Sequence, residues 1–299
     1  MEGLGLLLAG GGLEGELRRW LQEDVGRGDW STIAVATERS RRGLGQTVRA
    51  VWRAKEEGTI AGLPLAGRVF ELLAQESGAG EALAWRPLIE DGDACGAGEV
   101  VAELEGPAAV LLTGERTALN LVMRLSGIAT LTRQYVDCIG DLPARLVDTR
   151  KTTPGLRLLE KYAVRVGGGG NHRLGLDDAV MLKDNHLAAA GGIAPAIAAA
   201  RSVMPYPLTI EVETESIAQV QEATVAGADI VMLDNMPLEM MREAVTIARS
   251  LNPRIVLEAS GNVTLETIRA IAETGVDYIS TSAMVTRSRW LDLSMRIIP

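Results

Sequence analysis

The chain has 299 residues, of which 47% are hydrophobic and 23% charged, with a net charge of -9. That is apolar sequence for one large or two medium domains, since a single core stops growing near ~250–300 residues. The acidic balance argues against nucleic acid or an anionic membrane as partner, so a basic site must be local, and no apolar run reaches the ~18–20 residues of a membrane span.

In chain order, Met1 to Ala9 is apolar but lacks a basic n-region and runs into Gly10-Gly11-Gly12, so it reads as a leader and not as a signal peptide. A helix fits Leu13 to Gln22, with Leu13, Leu17, Trp20 and Leu21 on one face. Thr47 to Ala54 alternates like a strand. Pro64 to Ala74 reads as a helix with proline in its first turn. Leu83 to Ile89 and Val100 to Leu104 read as strands around the turn Asp91-Gly92-Asp93. Ala108 to Ile139 is a long helical stretch, with breaks expected at Gly114 and Gly127.

The rhythm changes near residue 115, and beyond the long helix it becomes strand, loop, helix. Strands are predicted at Arg145–Asp148, Leu208–Glu213, Asp229–Asp234, Ile255–Ser260 and Val276–Ser280, with helices starting at Ser216, Leu238 and Thr264. Such alternation implies a parallel sheet, and this many units suggests a barrel. Asp148, Glu213, Asp234 and Ser260 each end a predicted strand, on the rim where parallel barrels collect their reacting groups. The competing reading is that Asp and Ser only start turns or cap helices.

The densest run of chemistry is Asp148-Thr-Arg-Lys-Thr-Thr-Pro-Gly155. Arg150 offers a planar fork for a carboxylate or phosphate, and Lys151 a point charge. Gly167 to Gly170 let the backbone approach a ligand or let a loop close. They lead to His172 and Arg173; the second histidine, His186, follows in Lys183-Asp-Asn-His186 and is expected to act there or to orient a neighbour. Glu211 and Glu213, two apart, share one side of their strand, where they need a metal, a cation or a hydroxyl-rich ligand. Glu213 with Asp234 could hold Mg²⁺, which takes few protein carboxylates and completes its shell with water and phosphate oxygens. The loops Ser260-Gly261-Asn262 and Ser280-Thr-Ser-Ala283 follow late strands, where phosphate is often held. Cys95 and Cys138 are too far apart in sequence to form a metal motif and read as buried small residues or at most one pair. Neither a dinucleotide-binding nor a P-loop fingerprint is present.

Taken together, Asp148-Thr-Arg-Lys-Thr-Thr-Pro-Gly-Leu-Arg157, Leu159-Glu-Lys-Tyr-Ala163, Asn171-His-Arg-Leu-Gly-Leu176 and Lys183-Asp-Asn-His186 resemble the quinolinate phosphoribosyltransferase family. Further matches are Glu23-Asp-Val-Gly-Arg-Gly-Asp29, Glu115-Arg-Thr-Ala-Leu-Asn120, Leu125-Ser-Gly-Ile-Ala-Thr130 and Met232-Leu-Asp-Asn-Met236, so the resemblance covers nearly the whole chain. It implies an α/β fold: an N-terminal α/β sandwich domain, 1–115, on which the tail 289–299 packs, and an incomplete parallel α/β barrel, 116–288. It implies transfer of phosphoribosyl from phosphoribosyl pyrophosphate to quinolinate with decarboxylation, in NAD biosynthesis. Arg150, His172, Arg173 and Lys183 are then expected to bind quinolinate. Lys151, Glu213 and Asp234 are expected to serve phosphoribosyl pyrophosphate and its Mg²⁺, and Ser260 and Gly261 the 5′-phosphate. Arg116 is expected to reach a neighbouring subunit's site in a cytoplasmic homodimer.

Ser280-Thr-Ser-Ala283 departs from the family's glycine-rich loop, with Ser282 left to meet the phosphate, and Val285-Thr-Arg-Ser288 is also atypical. The nearest alternatives are the molybdenum-transport-associated relative, which shares the Thr-Arg-Lys-Thr-Thr-Pro run, and a non-catalytic anion-binding protein. The intact Lys183-Asp-Asn-His186 argues against the first; Lys151, Glu213 and Asp234 argue against the second.

Overall fold

A computed structural model describes residues 12–39, 47–78 and 80–298; the leader at 1–9 lies outside the described residues. The chain divides into two compact units, Met1–Thr130 with Ser288–Pro299, and Leu131–Arg287. The first division falls inside a helix, downstream of the change of rhythm at residue 115.

The first unit contains helices α1 (Gly12–Val25), α2 (Trp30–Arg39) and α3 (Leu63–Glu76), and strands β1 (Thr47–Ala54), β2 (Gly58–Thr59), β3 (Ala84–Pro87), β4 (Ala94–Cys95) and β5 (Val100–Pro107). The last strand of the chain, β12 (Leu293–Ile298), joins them in an antiparallel sheet ordered β12-β1-β5-β3. The period-2 pattern of β1 turns Ala50, Trp52 and Ala54 inward. Trp52 meets Phe70 of α3 and Trp85 of β3 edge-on, with ring centroids 6.2 Å and 5.2 Å away. The first amides of α3 are satisfied by Asp91, which accepts from Gly62 N and Leu63 N at 2.6 Å and 3.0 Å.

The long helix α4 (Ala108–Asp137) is continuous, contrary to the breaks expected at Gly114 and Gly127. The two glycines serve close packing. A Cβ on Gly114 would lie 2.8 Å from the Phe70 ring, and one on Gly127 would lie 1.8 Å from the Arg289 carbonyl. The roughly 1 kcal/mol that glycine costs a helix relative to alanine is set against contacts that no side chain could permit.

The second unit carries six parallel strands in the order β6-β11-β10-β9-β8-β7: β6 (Arg145–Val147), β7 (Val180–Leu182), β8 (Ile210–Thr214), β9 (Ile230–Asp234), β10 (Val256–Ser260) and β11 (Tyr278–Ser280). β6 and β7 end the series, so the barrel is open. Helices α5 (Arg157–Val166), α6 (Asp184–Ala190), α7 (Ile193–Val203), α8 (Ile217–Val225), α9 (Leu238–Leu251), α10 (Ile268–Ala272) and α11 (Ala283–Thr286) intervene. Ser216 caps α8 as its sequence position suggested, accepting from Gln219 N. α10 begins four residues after the expected Thr264, because Thr264 to Thr267 forms a turn closed by the Thr267 hydroxyl. The register sets Asp234 beside Ser260, Ser260 beside Ser280, and Ser280 beside Val147. The strand ends therefore form one rim.

Candidate active site

A cavity of about 560 Å³ opens on that rim. Thr149, Arg150 and Lys151 line it after β6, His172 and Arg173 beyond α5, Lys183 after β7, Glu213 from β8 and Asp234 from β9. Ser260, Gly261 and Asn262 follow β10, and Ser280, Thr281 and Ser282 complete the wall at β11. The structure thus gathers most of the site residues proposed from sequence. Arg116 is exposed on α4 in the other unit and is not among the lining residues. His186 does not line the cavity either; its Nδ1 accepts from Lys183 N at 3.0 Å and caps α6.

The wall from Asp148 to Arg173 is held from below by a buried ion pair. The carboxylate of Asp148 meets Lys161 of α5, and both side chains are about 1% exposed. Asp148 also accepts from Asn171 Nδ2 at 2.7 Å and from His172 N at 2.9 Å, while Lys161 donates to His172 O at 2.9 Å. Desolvation raises the Asp148 pKa against the pull of Lys161. The Arg150–Lys151 turn is braced from the same helix, where Glu160 accepts from Thr153 N and Oγ1, each at 2.8 Å. The glycine run packs on protein and lines no part of the cavity. A Cβ on Gly169 would meet Val164 at 2.9 Å, and Gly170 bridges to Val147.

Arg173 donates through Nη1 to Ala179 O at 2.8 Å, but its buried Nε has no partner. Burial and the neighbouring charge of Arg150 lower its pKa, yet a guanidinium stays protonated. A buried N–H donor left open in a cavity wall is costly unless a ligand accepts from it.

Beside it, His172 accepts from Arg173 N at Nδ1, 2.7 Å away, and turns Nε2 to Glu211, 3.0 Å, and Glu258, 3.6 Å. Burial opposes a charged ring, but the hydrogen bond to Glu211 and the charges of Glu258 and Glu211 outweigh it and raise the His172 pKa. A second ring proton would nevertheless displace the Arg173 amide from Nδ1, so the geometry favours the neutral tautomer with its proton on Nε2. Glu258 was not singled out in the sequence. The signal was there: it lies two residues before Ser260 in β10 and so faces the same side.

Glu211 and Glu213 share a strand face but differ in role. Glu211 is buried against His172, whereas Glu213 is partly exposed and paired with Lys183. Asp234 accepts from Asn235 Nδ2 at 2.8 Å, and Asn235 Oδ1 accepts from Asn262 Nδ2 at 3.0 Å. Asn235 and Asn262 adopt left-handed φ of 51° and 50°, which asparagine tolerates. Gly261, at φ 98°, is obligatory, since a Cβ there would sit 2.2 Å from Asn235 Oδ1. This chain of asparagines ties the Asp234 carboxylate to the Ser260 loop. In the departing loop, Thr281 Oγ1 accepts from Ala283 N at 3.2 Å and Ser280 bonds Glu258, so these two hydroxyls are used internally and Ser282 remains at the wall. Among the described residues, the group of three carboxylate or histidine side chains close enough to share one ion is His172, Glu211 and Glu258.

Comparison with known proteins points one way. Residues 29–126 match the family model described as quinolinate phosphoribosyl transferase, N-terminal domain, and residues 128–296 match its C-terminal domain. A relative from Synechocystis sp., named probable nicotinate-nucleotide pyrophosphorylase [carboxylating], is 57% identical over 94% of this chain and 91% of its own. A tobacco relative, quinolinate phosphoribosyltransferase [decarboxylating] 1b, is 40% identical over 95% of this chain and 82% of its own. The crystal structure of NadC from Streptococcus pyogenes superposes with a TM-score of 0.87 at 42% identity, covering 96% of this chain and 97% of that one.

Proposed function

From the quinolinate phosphoribosyltransferase family, to which this chain belongs, we propose how the residues of the cavity divide the reaction. The chain transfers phosphoribosyl from phosphoribosyl pyrophosphate to the ring nitrogen of quinolinate, releasing CO₂ and pyrophosphate and giving nicotinate mononucleotide in NAD biosynthesis. The observation that carries the division is the unpartnered buried Nε of Arg173, in a wall shared with Arg150 and Lys183. It supports docking of an anionic substrate against this wall.

Arg150, Arg173 and Lys183 grip the two carboxylates of quinolinate. His172 borders them with both ring nitrogens already engaged. Lys151, exposed next to Arg150 in the cavity wall, meets the pyrophosphate, and Ser260, Gly261 and Ser282 meet the 5′-phosphate. As the pyridine nitrogen forms its bond to ribose C1, the bond from C1 to pyrophosphate breaks. Lys151 balances the negative charge that leaves, and the carboxylates of Glu213 and Asp234 face the positive charge that develops on the sugar. The bond from C2 to its carboxylate then breaks, and the electron pair left on C2 is stabilised by the cationic nitrogen until a proton arrives. Positioning by fixed charges does most of this work.

Two carboxylates at neighbouring strand ends, both lining the cavity, are a donor set of the kind Mg²⁺ takes alongside phosphate oxygens. Glu213 and Asp234 would hold it, with Lys183 shifting from Glu213 toward substrate. When bound, it would neutralise charge on the pyrophosphate. Arg116, exposed on α4, is assigned to the partner's site in a homodimer, so each site would draw on two chains. A cytoplasmic location fits two unpaired cysteines, Cys95 and Cys138.

The test is an assay of the purified protein with quinolinate, phosphoribosyl pyrophosphate and Mg²⁺, following CO₂ and nicotinate mononucleotide together. Equal formation of both, lost on chelation, is expected. Folded protein that forms neither would overturn the reading. For the shared site, mixing Arg116→Ala with Lys151→Ala protein should restore activity. Confirmed subunit exchange without rescue would exclude it.

A further inference from the structure

The cluster of His172, Glu211 and Glu258 reaches the cavity wall through His172 and Glu258, with Glu211 buried behind them, and neither carboxylate has a place in the division of labour above. Glu211 is 2% exposed and Glu258 4%. One carboxylate oxygen of each, Oε1, is buried without a partner. Two carboxylates cannot both stay ionised in so small a buried volume without a compensating cation or proton.

A metal ion is the first candidate, because the three side chains lie close enough to share one. The tautomer of His172 argues against it. A histidine that binds metal through Nε2 carries a proton on Nδ1 and donates it to an acceptor. Here Nδ1 faces a donor, the amide of Arg173, at 2.7 Å. The imidazole therefore keeps its proton on Nε2. That single N–H is taken by Glu211 at 3.0 Å, and Glu258 at 3.6 Å lies beyond hydrogen-bonding range. The other groups facing Glu258 do not supply a cation either. From β8 comes the carboxylate of Glu211, and from β11 the hydroxyl of Ser280. Lys161 is spent on Asp148 and the His172 carbonyl. The cluster is one proton short.

We infer that Glu258 supplies that proton, standing as a neutral carboxylic acid in the wall of the anion pocket, and that its neutrality is what lets the wall accept a dianionic substrate. Desolvation first, then the charge of Glu211, raises its pKa to about 7. Above that value the wall gains a negative charge next to the site assigned to the quinolinate carboxylates, and the substrate is repelled. Glu258 is thus a specificity-determining residue. The inference rests on the quinolinate reading for its ligand, but its protonation state is measurable without substrate.

The variant is Glu258→Gln, which copies the neutral acid in shape and cannot ionise. Quinolinate binding is measured by titration calorimetry from pH 6.0 to 8.5, where both substrate carboxyls stay ionised. Wild-type affinity should fall about tenfold across that range, the linkage equivalent of one pKa unit. Glu258→Gln should show a flat profile. A profile that persists in the variant would mean that His172 titrates instead, and would overturn the inference, as would a flat wild-type profile. Without ligand, a folded acid pKa above the unfolded one makes stability fall as pH rises toward 7. The melting temperature of Glu258→Gln should therefore gain on wild type between pH 5 and 8.5, and a constant difference would count against the proposal. If the variant does not fold, the infrared difference spectrum of the wild type decides: loss of a buried carboxylic-acid band near pH 7 supports the proposal, and its absence refutes it. An enzyme that binds no quinolinate yet shows the band would fault the substrate reading alone.

Discussion

The two units bury different things. The antiparallel unit closes on aromatic and aliphatic side chains, with Trp52, Phe70 and Trp85 at its centre, and among the described residues its buried polar side chains are the hydroxyls of Thr32, Thr59, Thr117 and Ser126. The parallel unit buries Asp148, Glu160, Lys161, Glu211 and Glu258; among the described residues, every buried charge lies there. Buried charges seldom stabilise a fold compared with well-packed hydrophobic residues. Their segregation into one unit shows where stability has been exchanged for preorganised chemistry, and which damage each unit should suffer when altered.

The comparison is broken most sharply by Lys161→Met. It strands the Asp148 carboxylate, and removing one partner of a buried pair costs about 3–5 kcal/mol. Denaturant melts should show that loss at pH 8 and a smaller one toward acid, because Asp148 then takes up a proton. Survivors should also bind quinolinate poorly, since Lys161 and Asp148 hold the His172 backbone from both sides. A stable variant with normal binding would mean that the pair is inert.

The matching test in the antiparallel unit is Trp52→Ala, with a loss of about 3–5 kcal/mol for a large buried aromatic. Below its unfolding transition it should keep wild-type kcat per folded molecule. A drop in kcat would show that the two units are not separable in this way.

Arg173→Gln should leave stability nearly unchanged but reduce kcat/KM for quinolinate by about 100-fold, or roughly 2.7 kcal/mol, within the 2–5 kcal/mol usual for breaking a charged contact. An unchanged kcat/KM would remove Arg173 from the substrate wall. Smallest is Ser216→Ala in the α8 cap, at about 1 kcal/mol, with activity intact. It separates a polar residue that only caps from those that react.

Much of the site was legible because its residues cluster along the chain. Arg150 and Lys151 follow one strand, and His172, Arg173 and Lys183 come soon after, so a local run already announces an anion site. Glu258 stands out less, because it lies alone between Leu257 and Ala259 in a buried strand with no second charged residue beside it along the chain. The strand β7, Val180–Leu182, was not expected from the sequence. The expected breaks at Gly114 and Gly127 failed for a different reason: helix propensity is weak, and packing overrides it.

The sequence by itself determined the parallel α/β character of the second half, the position of its strand ends and the family, because periodicity and motif are properties of neighbouring residues. Only the tertiary structure decided which partner each charge has. Glu211 and Glu213 stand on one face of one strand, yet one is sealed against His172 and the other reaches Lys183. Their difference comes from depth along the strand and from segments distant in sequence, and it is depth that sets the cost of a charge.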